Sequence, residues 1–215
     1  MTTRLDIISD PICPWCYIGK ARLATALASA PEGVFEIHWQ PFQLNPDMPA
    51  EGRDRRAYLE GKFGGKEGAV RAYAPVAQAA EESGLTINFD KIIRTPNTLD
   101  AHRLIQWAGI EGVQNGVVDA LFDAYFVQGL DIGEHEVLAD IAASAGMDRA
   151  ATLRLLATDA DLEEVSAKDK QARDMGVGGV PCFIIANKYA VEGAQPAETW
   201  AKIIEEIDEL VRAES

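Results

Sequence analysis

Two cysteines separated by Pro-Trp follow a short apolar segment in the stretch DPICPWCYIG, residues 10–19. The apolar residues before it and the Asp10-Pro11 turn signal predict a buried strand at residues 5–9. Apolar residues then recur at helical spacing as far as Pro31, which predicts an amphipathic helix. The helical positions are Leu23, Ala26, Leu27 and Ala30. The cysteines therefore lie where a strand leads into a helix, and this restricts the fold more than any other feature.

Strand patterns occur on both sides of a long helical region. Apolar and polar residues alternate over 35–40, which predicts a second strand. The segment VPCFIIANKYAVEG predicts a hairpin that turns at Asn187-Lys188. A last helix is predicted to begin at Pro196, with one apolar stripe formed by Trp200, Ile203, Ile204, Ile207 and Leu210. The sequence therefore predicts a βαβ unit at the N-terminal end of the chain and a ββα unit at the C-terminal end.

The region between these ends is rich in Ala, Leu, Glu and Arg and carries several apolar helical faces. Asn97 and Asp148 are predicted helix N-caps. The sequence therefore predicts a large helical insertion between a βαβ half and a ββα half.

A cysteine at the start of a helix is chemically special, because the unpaired N–H groups and the helix dipole stabilise a thiolate. Cys13 is predicted to be the more exposed and more readily ionised thiol, and Cys16 to reach it from one turn along. Pro14 preorganises the turn, and Trp15 is interpreted as contact surface for a substrate. This arrangement suits thiol–disulfide exchange, in which Cys13 attacks a substrate disulfide and Cys16 resolves the mixed disulfide.

Two other uses of the cysteine pair fit less well. A structural zinc site needs about four ligands, and the remaining candidates are widely scattered, so no metal site is predicted. Those candidates are His38, His102, His135 and Cys182. A purely structural disulfide would close too short a loop to stabilise the fold appreciably.

The stretch GVGGVPCF, residues 176–183, is the second chemical signal. A Val-Pro pair entering a strand after a glycine-rich turn suits a cis peptide bond. Val180 and Pro181 are predicted to face the active-site sulfur and to pair with an extended substrate. Cys182 is interpreted as a small buried core residue, with a third redox thiol as the alternative.

Composition narrows the function classes. The formal net charge of −14 over 215 residues argues against binding to nucleic acid or anionic membranes. No stretch is long and apolar enough for a membrane span, and no secretory leader is evident, so a cytoplasmic location is expected. The three cysteines are too few for a secreted disulfide framework.

The chain resembles the thioredoxin superfamily, and within it the FrnE-like group of the DsbA family. The matching segments are DPICPWCYIGKARL, TPNTLDAHRL, ALFDAYFVQGLDIGE and GVPCFIIANKYAVEGAQP. This group is similar to 2-hydroxychromene-2-carboxylate isomerases and kappa-class glutathione transferases. The resemblance implies an α/β thioredoxin fold with an all-helical insertion. Residues 1–45 and 176–215 would form the thioredoxin-like domain and residues 46–175 the insertion domain.

The resemblance also assigns roles to residues. It makes Cys13 the nucleophile and Cys16 the resolving thiol, and it implies that substrate binds at Pro14, Trp15, Val180 and Pro181. The glutathione-using relatives carry serine at the position of Cys13, so the cysteine here favours redox exchange. The buried carboxylate that many thioredoxins place six residues before the first cysteine is Ile7, flanked by Asp6 and Asp10. The proton acceptor for Cys16 is thus left open.

The expected function is dithiol–disulfide exchange, as oxidoreductase or isomerase, on a disulfide-containing protein or a small thiol. The alternative is a glutathione-dependent isomerase or transferase, with an insertion-roofed aromatic cleft at Phe63, Tyr73 and Trp107. A third reading is a non-catalytic docking module. No tightly bound cofactor is expected, glutathione is a candidate co-substrate, and monomer and homodimer both stay open.

Overall fold

The computed structural model describes residues 2–213, with side chains as far as residue 209. Its strands are β1 Thr3–Ser9, β2 Phe35–Pro41, β3 Arg53–Asp54, β4 Arg94–Thr95, β5 Cys182–Ile185 and β6 Tyr189–Glu192. Its α-helices are α1 Pro14–Leu27, α2 Arg55–Phe63, α3 Lys66–Glu82, α4 Leu99–Ile110, α5 Gln114–Phe122, α6 His135–Ser144, α7 Arg149–Leu156, α8 Leu162–Asp174 and α9 Ala197–Ala213. A 3-10 turn, Phe89–Lys91, and a π-helical segment, Asp123–Gln128, complete the order. The predicted order βαβ, helical region, ββα is confirmed.

Among the described residues, the main sheet has the strand order β2-β1-β5-β6. β1 runs parallel to β2, from Thr3 opposite Phe35 onward, and antiparallel to β5. Central strands are covered on both faces, and this explains why the segment from Leu5 to Ser9 is buried throughout. β1 begins at Thr3, two residues before the start predicted from its apolar pattern.

The helical region between β2 and β5 carries one extra feature. The short strands β3 and β4 pair antiparallel, so a two-residue ladder adds to the predicted helical insertion. Asp148 caps α7 as predicted, by accepting a hydrogen bond from the N–H of Ala151 at 2.7 Å. At α4 the residue before the helix is Thr98, and Asn97 accepts from the N–H of Leu99 at 2.9 Å. The predicted cap at Asn97 is therefore displaced by one residue.

The apolar stripe of α9 packs on the thioredoxin-like half. Trp200 is fully buried and meets the ring of Phe183 edge-on at 4.7 Å between centroids. Ile204 is buried as well, and Leu210 lies outside the described side chains. The helix begins at Ala197, and the carbonyl of Pro196 accepts from the N–H groups of Thr199 and Trp200. The predicted stripe is thus confirmed as far as side chains are described.

One hydrophobic core joins the two parts of the chain. Leu5 and Trp39 of the sheet belong to the same buried cluster as Leu104 of α4 and Phe122 of α5. Helices α4 and α8 both pack against β2. The division into domains at residues 45 and 176 stays a prediction.

Candidate active site

The two cysteines lie where β1 leads into α1. Cys13 directly precedes the helix with extended backbone, and Pro14 occupies the first helical turn, where its missing N–H costs nothing. The carbonyl of Cys13 accepts from the N–H of Cys16 at 3.0 Å, and the N–H of Cys13 donates to the carbonyl of Asp10 at 2.9 Å. The local sequence therefore fixes both thiols at the helix N-terminus.

Cys13 is the more exposed of the two cysteines, as predicted, but only slightly. Its exposed fraction is 4%, against 1% for Cys16, so both thiols are buried. The cause is the loop before β5, because the Cys13 thiol lies 3.5 Å from the carbonyl oxygen of Val180 and donates to it. A substrate must therefore approach along this loop to reach the sulfur.

The Cys16 thiol is enclosed by polar partners. Its polar neighbours are the Cys13 thiol, the Ser9 side chain and the backbone of Asp10. Burial, followed by the contact with Cys13, raises the pKa of Cys16 well above its ordinary value. Cys16 is thus a protonated thiol at neutral pH and must lose a proton before it can act as a nucleophile.

The loop that carries Val180 is seated closely on α1. The Val180-Pro181 peptide bond is cis, as the sequence predicts. A Cβ at Gly19 would lie 3.1 Å from Cγ of Pro181 and 3.3 Å from Cζ of Phe183. Gly19 therefore allows the helix to approach the loop, a role that the sequence did not indicate. Cys182 lies buried in a separate cluster with Ile8, Phe42 and Ala172, in agreement with the packing interpretation.

A cavity of about 50 Å³ borders the cysteine motif at Ile12 and Pro14. Arg55, only 7% exposed, lines it and hydrogen-bonds the hydroxyl of Tyr125 at 3.2 Å. Within the described part of the chain, the buried Oγ1 of Thr95 in the same wall lacks a hydrogen-bond partner. The cavity therefore presents a buried cation and a free hydroxyl beside the dithiol.

The expected aromatic cleft is only partly present. Phe63 and Tyr73 line this small cavity, with their rings 6.2 Å apart. Trp107 does not, because it is buried against α8 and its Nε1 donates to Asp161 at 2.7 Å. A larger cavity of about 570 Å³ lies along the edge of β2, away from both cysteines.

Two buried ionisable groups lie against each other, and one of them is three residues before Cys13. Asp10 is fully buried, and its burial raises the pKa to about 7. His102 is 2% exposed, and its burial lowers the pKa to about 4. The Asp10 Oδ1 and His102 Nε2 atoms are 3.9 Å apart. Sequence alone could not pair them, since they are 92 positions apart and burial gives no local pattern.

Two features are absent from the described residues. No group of three or more His, Cys, Asp or Glu side chains within residues 2–213 could hold a metal ion. Over the same residues, no helix has the length and apolar character needed to cross a membrane.

Comparison with known proteins identifies the family. A model of the DSBA-like thioredoxin domain matches residues 4–205. The chain belongs to this family. A probable DsbA oxidoreductase from Streptomyces coelicolor is 31% identical, with a TM-score of 0.84 over 95% of this chain and 89% of that one. The fold expected from the sequence, a thioredoxin fold with a helical insertion, is therefore confirmed.

Two solved structures of lower sequence identity share the fold. A 2-hydroxychromene-2-carboxylate isomerase superposes with a TM-score of 0.70 at 16% identity, over 98% of this chain and 97% of that one. The cytosolic disulfide reductase DsbM from Pseudomonas aeruginosa, solved with glutathione, gives 0.67 at 16% identity, over 94% and 98%. At these identities the likeness concerns the fold alone.

Proposed function

We propose that this DSBA-like protein is a thiol–disulfide oxidoreductase or isomerase whose nucleophile is Cys13 and whose resolving thiol is Cys16. One observation carries the proposal: the two thiols are neighbours at the N-terminus of α1, with Cys13 against the carbonyl of Val180. A pair held in contact can close a disulfide without rearrangement of the helix.

The exchange has two balanced steps. In the first, the Cys13 thiolate attacks a substrate disulfide, a Cys13–substrate bond forms, and the other substrate sulfur leaves as a thiolate. The N-terminal dipoles of α1 favour negative charge at this position. In the second, Cys16 loses its proton and attacks the Cys13 sulfur, which forms the internal disulfide and releases the remaining substrate thiolate. The substrate gains two electrons and the protein loses two.

The loop before β5 supports a disulfide-bearing chain as substrate. Gly178 and Gly179 have open space where a side chain would project, so an extended segment can approach their backbone. Such a segment beside Val180 would bring its sulfur to Cys13, since the Val180 carbonyl already lies 3.5 Å from that thiol. Trp15, half-buried in α1 two residues after Cys13, would form part of the contact surface.

A small thiol that carries a carboxylate is the proposed co-substrate, and glutathione is the candidate. The cavity beside Pro14 has room for a carboxylate but not for a tripeptide, and it offers Arg55 and Thr95 as partners. Lys62 also lines it. The relative DsbM, solved with glutathione, agrees with this choice. In a reducing cytoplasm the pair would then act as a reductase or isomerase.

The same cavity favours a second candidate, a glutathione-dependent isomerase or transferase. In that reaction Cys13 would hold or stabilise glutathione, and Cys16 would not be needed. The two candidates therefore differ in one residue.

A redox titration against glutathione tests the proposal. Thiols are alkylated at each ratio of reduced to oxidised glutathione, and the protein mass is recorded. We expect one reversible two-electron transition that is lost in Cys13→Ser and in Cys16→Ser and kept in the matched control Cys182→Ser. A stable glutathione adduct on Cys13, with no internal disulfide, would favour the isomerase or transferase. An unreactive Cys13 would contradict both candidates.

A further inference from the structure

Closure of the internal disulfide requires a proton acceptor for Cys16. The position six residues before Cys13 holds Ile7, which is packed in the core and cannot accept a proton. Two carboxylates flank Ile7 along the chain, Asp6 and Asp10. The structure distinguishes between them.

Asp6 faces away from the dithiol. Side chains alternate along β1, so Asp6 and Ile8 border the cavity that contains Cys182, whereas Leu5 and Ile7 join the cluster that contains both active-site cysteines. The Asp6 carboxylate accepts from Arg4 at 2.7 and 2.6 Å and from Gln40 at 2.7 Å. Although burial acts in the opposite direction, these hydrogen bonds lower the pKa of Asp6. Asp6 is thus held as a carboxylate on the face of β1 that points away from the dithiol.

Asp10 touches the reacting loop directly. Its carbonyl accepts from the N–H of Cys13 at 2.9 Å, and its backbone hydrogen-bonds the Cys16 thiol. Its carboxyl is fully buried and accepts from the N–H groups of Ile12 at 3.3 Å and Leu44 at 2.7 Å. The Ser9 hydroxyl, adjacent in the chain, also hydrogen-bonds Cys16. The carboxyl is therefore held rigidly in the residue whose backbone contacts the resolving thiol.

His102 completes a pair with Asp10. The Phe42 carbonyl hydrogen-bonds the imidazole ring, while the buried Nε2 has no hydrogen-bond partner among the described residues and lies 3.9 Å from the Asp10 Oδ1. A neutral ring that donates to Phe42 carries a lone pair on Nε2, and a protonated Asp10 would present a donor to it from 3.9 Å. The pair can thus hold one proton between its oxygen and nitrogen.

The surroundings favour retention of that proton. Asp169 of α8 lies close enough to raise the pKa of both Asp10 and His102 electrostatically. The charge of Asp169 is partly offset by Arg173, which donates to it at 3.0 Å. The remaining ionisable or hydroxyl groups that interact with the Asp10 site are Thr98, Tyr125, Cys13 and Cys16. His102 also borders the 570 Å³ cavity along β2, which offers a route to solvent.

We propose that Asp10 and His102 act as a buried pair that takes up the proton of Cys16 when the internal disulfide closes and returns it when the disulfide is reduced. This inference rests on the proposed dithiol function. In the closing step the Cys16 S–H bond breaks, its proton passes to the pair, a Cys13–Cys16 bond forms and the substrate leaves as a thiolate. No additional oxidant is required, because the mixed disulfide supplies the electron-accepting bond.

The reaction with the aromatic disulfide dithiobis(nitrobenzoate) separates the two steps. Stopped-flow absorbance records a first thionitrobenzoate released when Cys13 attacks and a second released when Cys16 closes. All proteins carry Cys182→Ser, so that the third thiol does not contribute. In Asp10→Asn we expect the second release to slow about 100-fold at pH 7.5, while the first stays within about threefold. The wild-type second release should rise with pH through a midpoint near 7, and the variant should lose this inflection.

Two matched variants make the test specific. Asp6→Asn should keep both releases and the inflection. His102→Gln should move the midpoint to lower pH, because an amide N–H facing Asp10 stabilises the carboxylate. If near-ultraviolet circular dichroism shows that Asp10→Asn is misfolded, the pH midpoint of His102→Gln still tests the role of the pair.

The opposite outcomes are equally clear. Equal slowing of both releases in Asp10→Asn, an unchanged pH profile, or a defect in Asp6→Asn equal to that of Asp10→Asn would overturn the proton-accepting role. A wild-type protein that makes only the first release would instead overturn the proposed dithiol function, because Cys16 would never close.

Discussion

At the scale of single residues, burial of Asp10 and His102 couples their protonation to folding. The folded pKa of Asp10, about 7, exceeds its ordinary value of 3.8, so its contribution to stability is present below pH 4 and is lost as the pH rises to about 7. The folded pKa of His102, about 4, is below its ordinary value of 6.5, so its contribution is present above pH 6.5 and is lost as the pH falls toward 4. Between these limits the two residues act in opposite directions.

Asp10→Asn should therefore change the pH dependence of stability. Between pH 4.5 and 8 the free energy of unfolding of the wild type should fall relative to that of the variant, by an amount on the order of 3 kcal/mol. The variant alone should gain stability from pH 4.5 to 6.5, because only the His102 contribution is left. Urea unfolding at several pH values measures both curves. Parallel curves would show that the Asp10 carboxyl titrates alike in the folded and unfolded states.

Single residues also show where sequence reasoning stops. The Cys-Pro-Trp-Cys motif and the Val-Pro pair have a fixed local spacing, and the structure brings the Cys13 thiol to the carbonyl of Val180. Arg55 belongs to the densest basic run of the chain, which gives no sign that one member is 7% exposed beside the motif. Burial of an isolated polar residue depends on segments that are distant in the sequence, so local periodicity cannot predict it.

At the scale of elements, α1 is held against the helical region by an aromatic stack. Tyr17 lies 5.2 Å from the ring of Phe122 and 5.4 Å from the ring of Phe126, with nearly parallel planes. Phe126 belongs to the π-helical segment Asp123–Gln128. The apolar helical faces of this region predicted helices but not the π turn, since the extra residue per turn is set by packing.

Removal of the Tyr17 ring should destabilise the protein and displace the helix that carries the dithiol. We expect Tyr17→Ala to lower the free energy of unfolding by about 3 kcal/mol, because a large aromatic contact and its area are lost. Tyr17→Phe is the matched control and should stay within about 0.5 kcal/mol, since the stack is kept. Urea unfolding measures both. A loss in Tyr17→Phe as large as in Tyr17→Ala would assign the effect to the hydroxyl group.

At the scale of the whole molecule, the helical region closes one edge of the sheet. The Gln114 side chain accepts from the N–H of Trp39 at 2.9 Å and donates to its carbonyl at 3.3 Å. An edge strand is thereby covered by a side-chain amide in place of another strand. The sequence predicted the sheet, the helical insertion and their order along the chain. It could not predict the contact between Gln114 and Trp39, because this contact depends on three-dimensional proximity between segments 75 positions apart.

A core shared between sheet and insertion implies that both unfold together. Leu104 of α4 is fully buried in the cluster that contains Leu5 of β1. Leu104→Ala should therefore reduce the free energy of opening measured by hydrogen exchange by about 2–5 kcal/mol, equally in peptides from β1 and from α4. Ile110→Ala, at a position 79% exposed on the same helix, is the matched control and should change neither. Loss of protection confined to the helical peptides would instead show that residues 46–175 open as a separate unit, as the domain division in the sequence predicts. Equal loss would mean that the dithiol helix and the buried Asp10–His102 pair are stabilised by the whole chain, because every element around them belongs to the same cooperative unit.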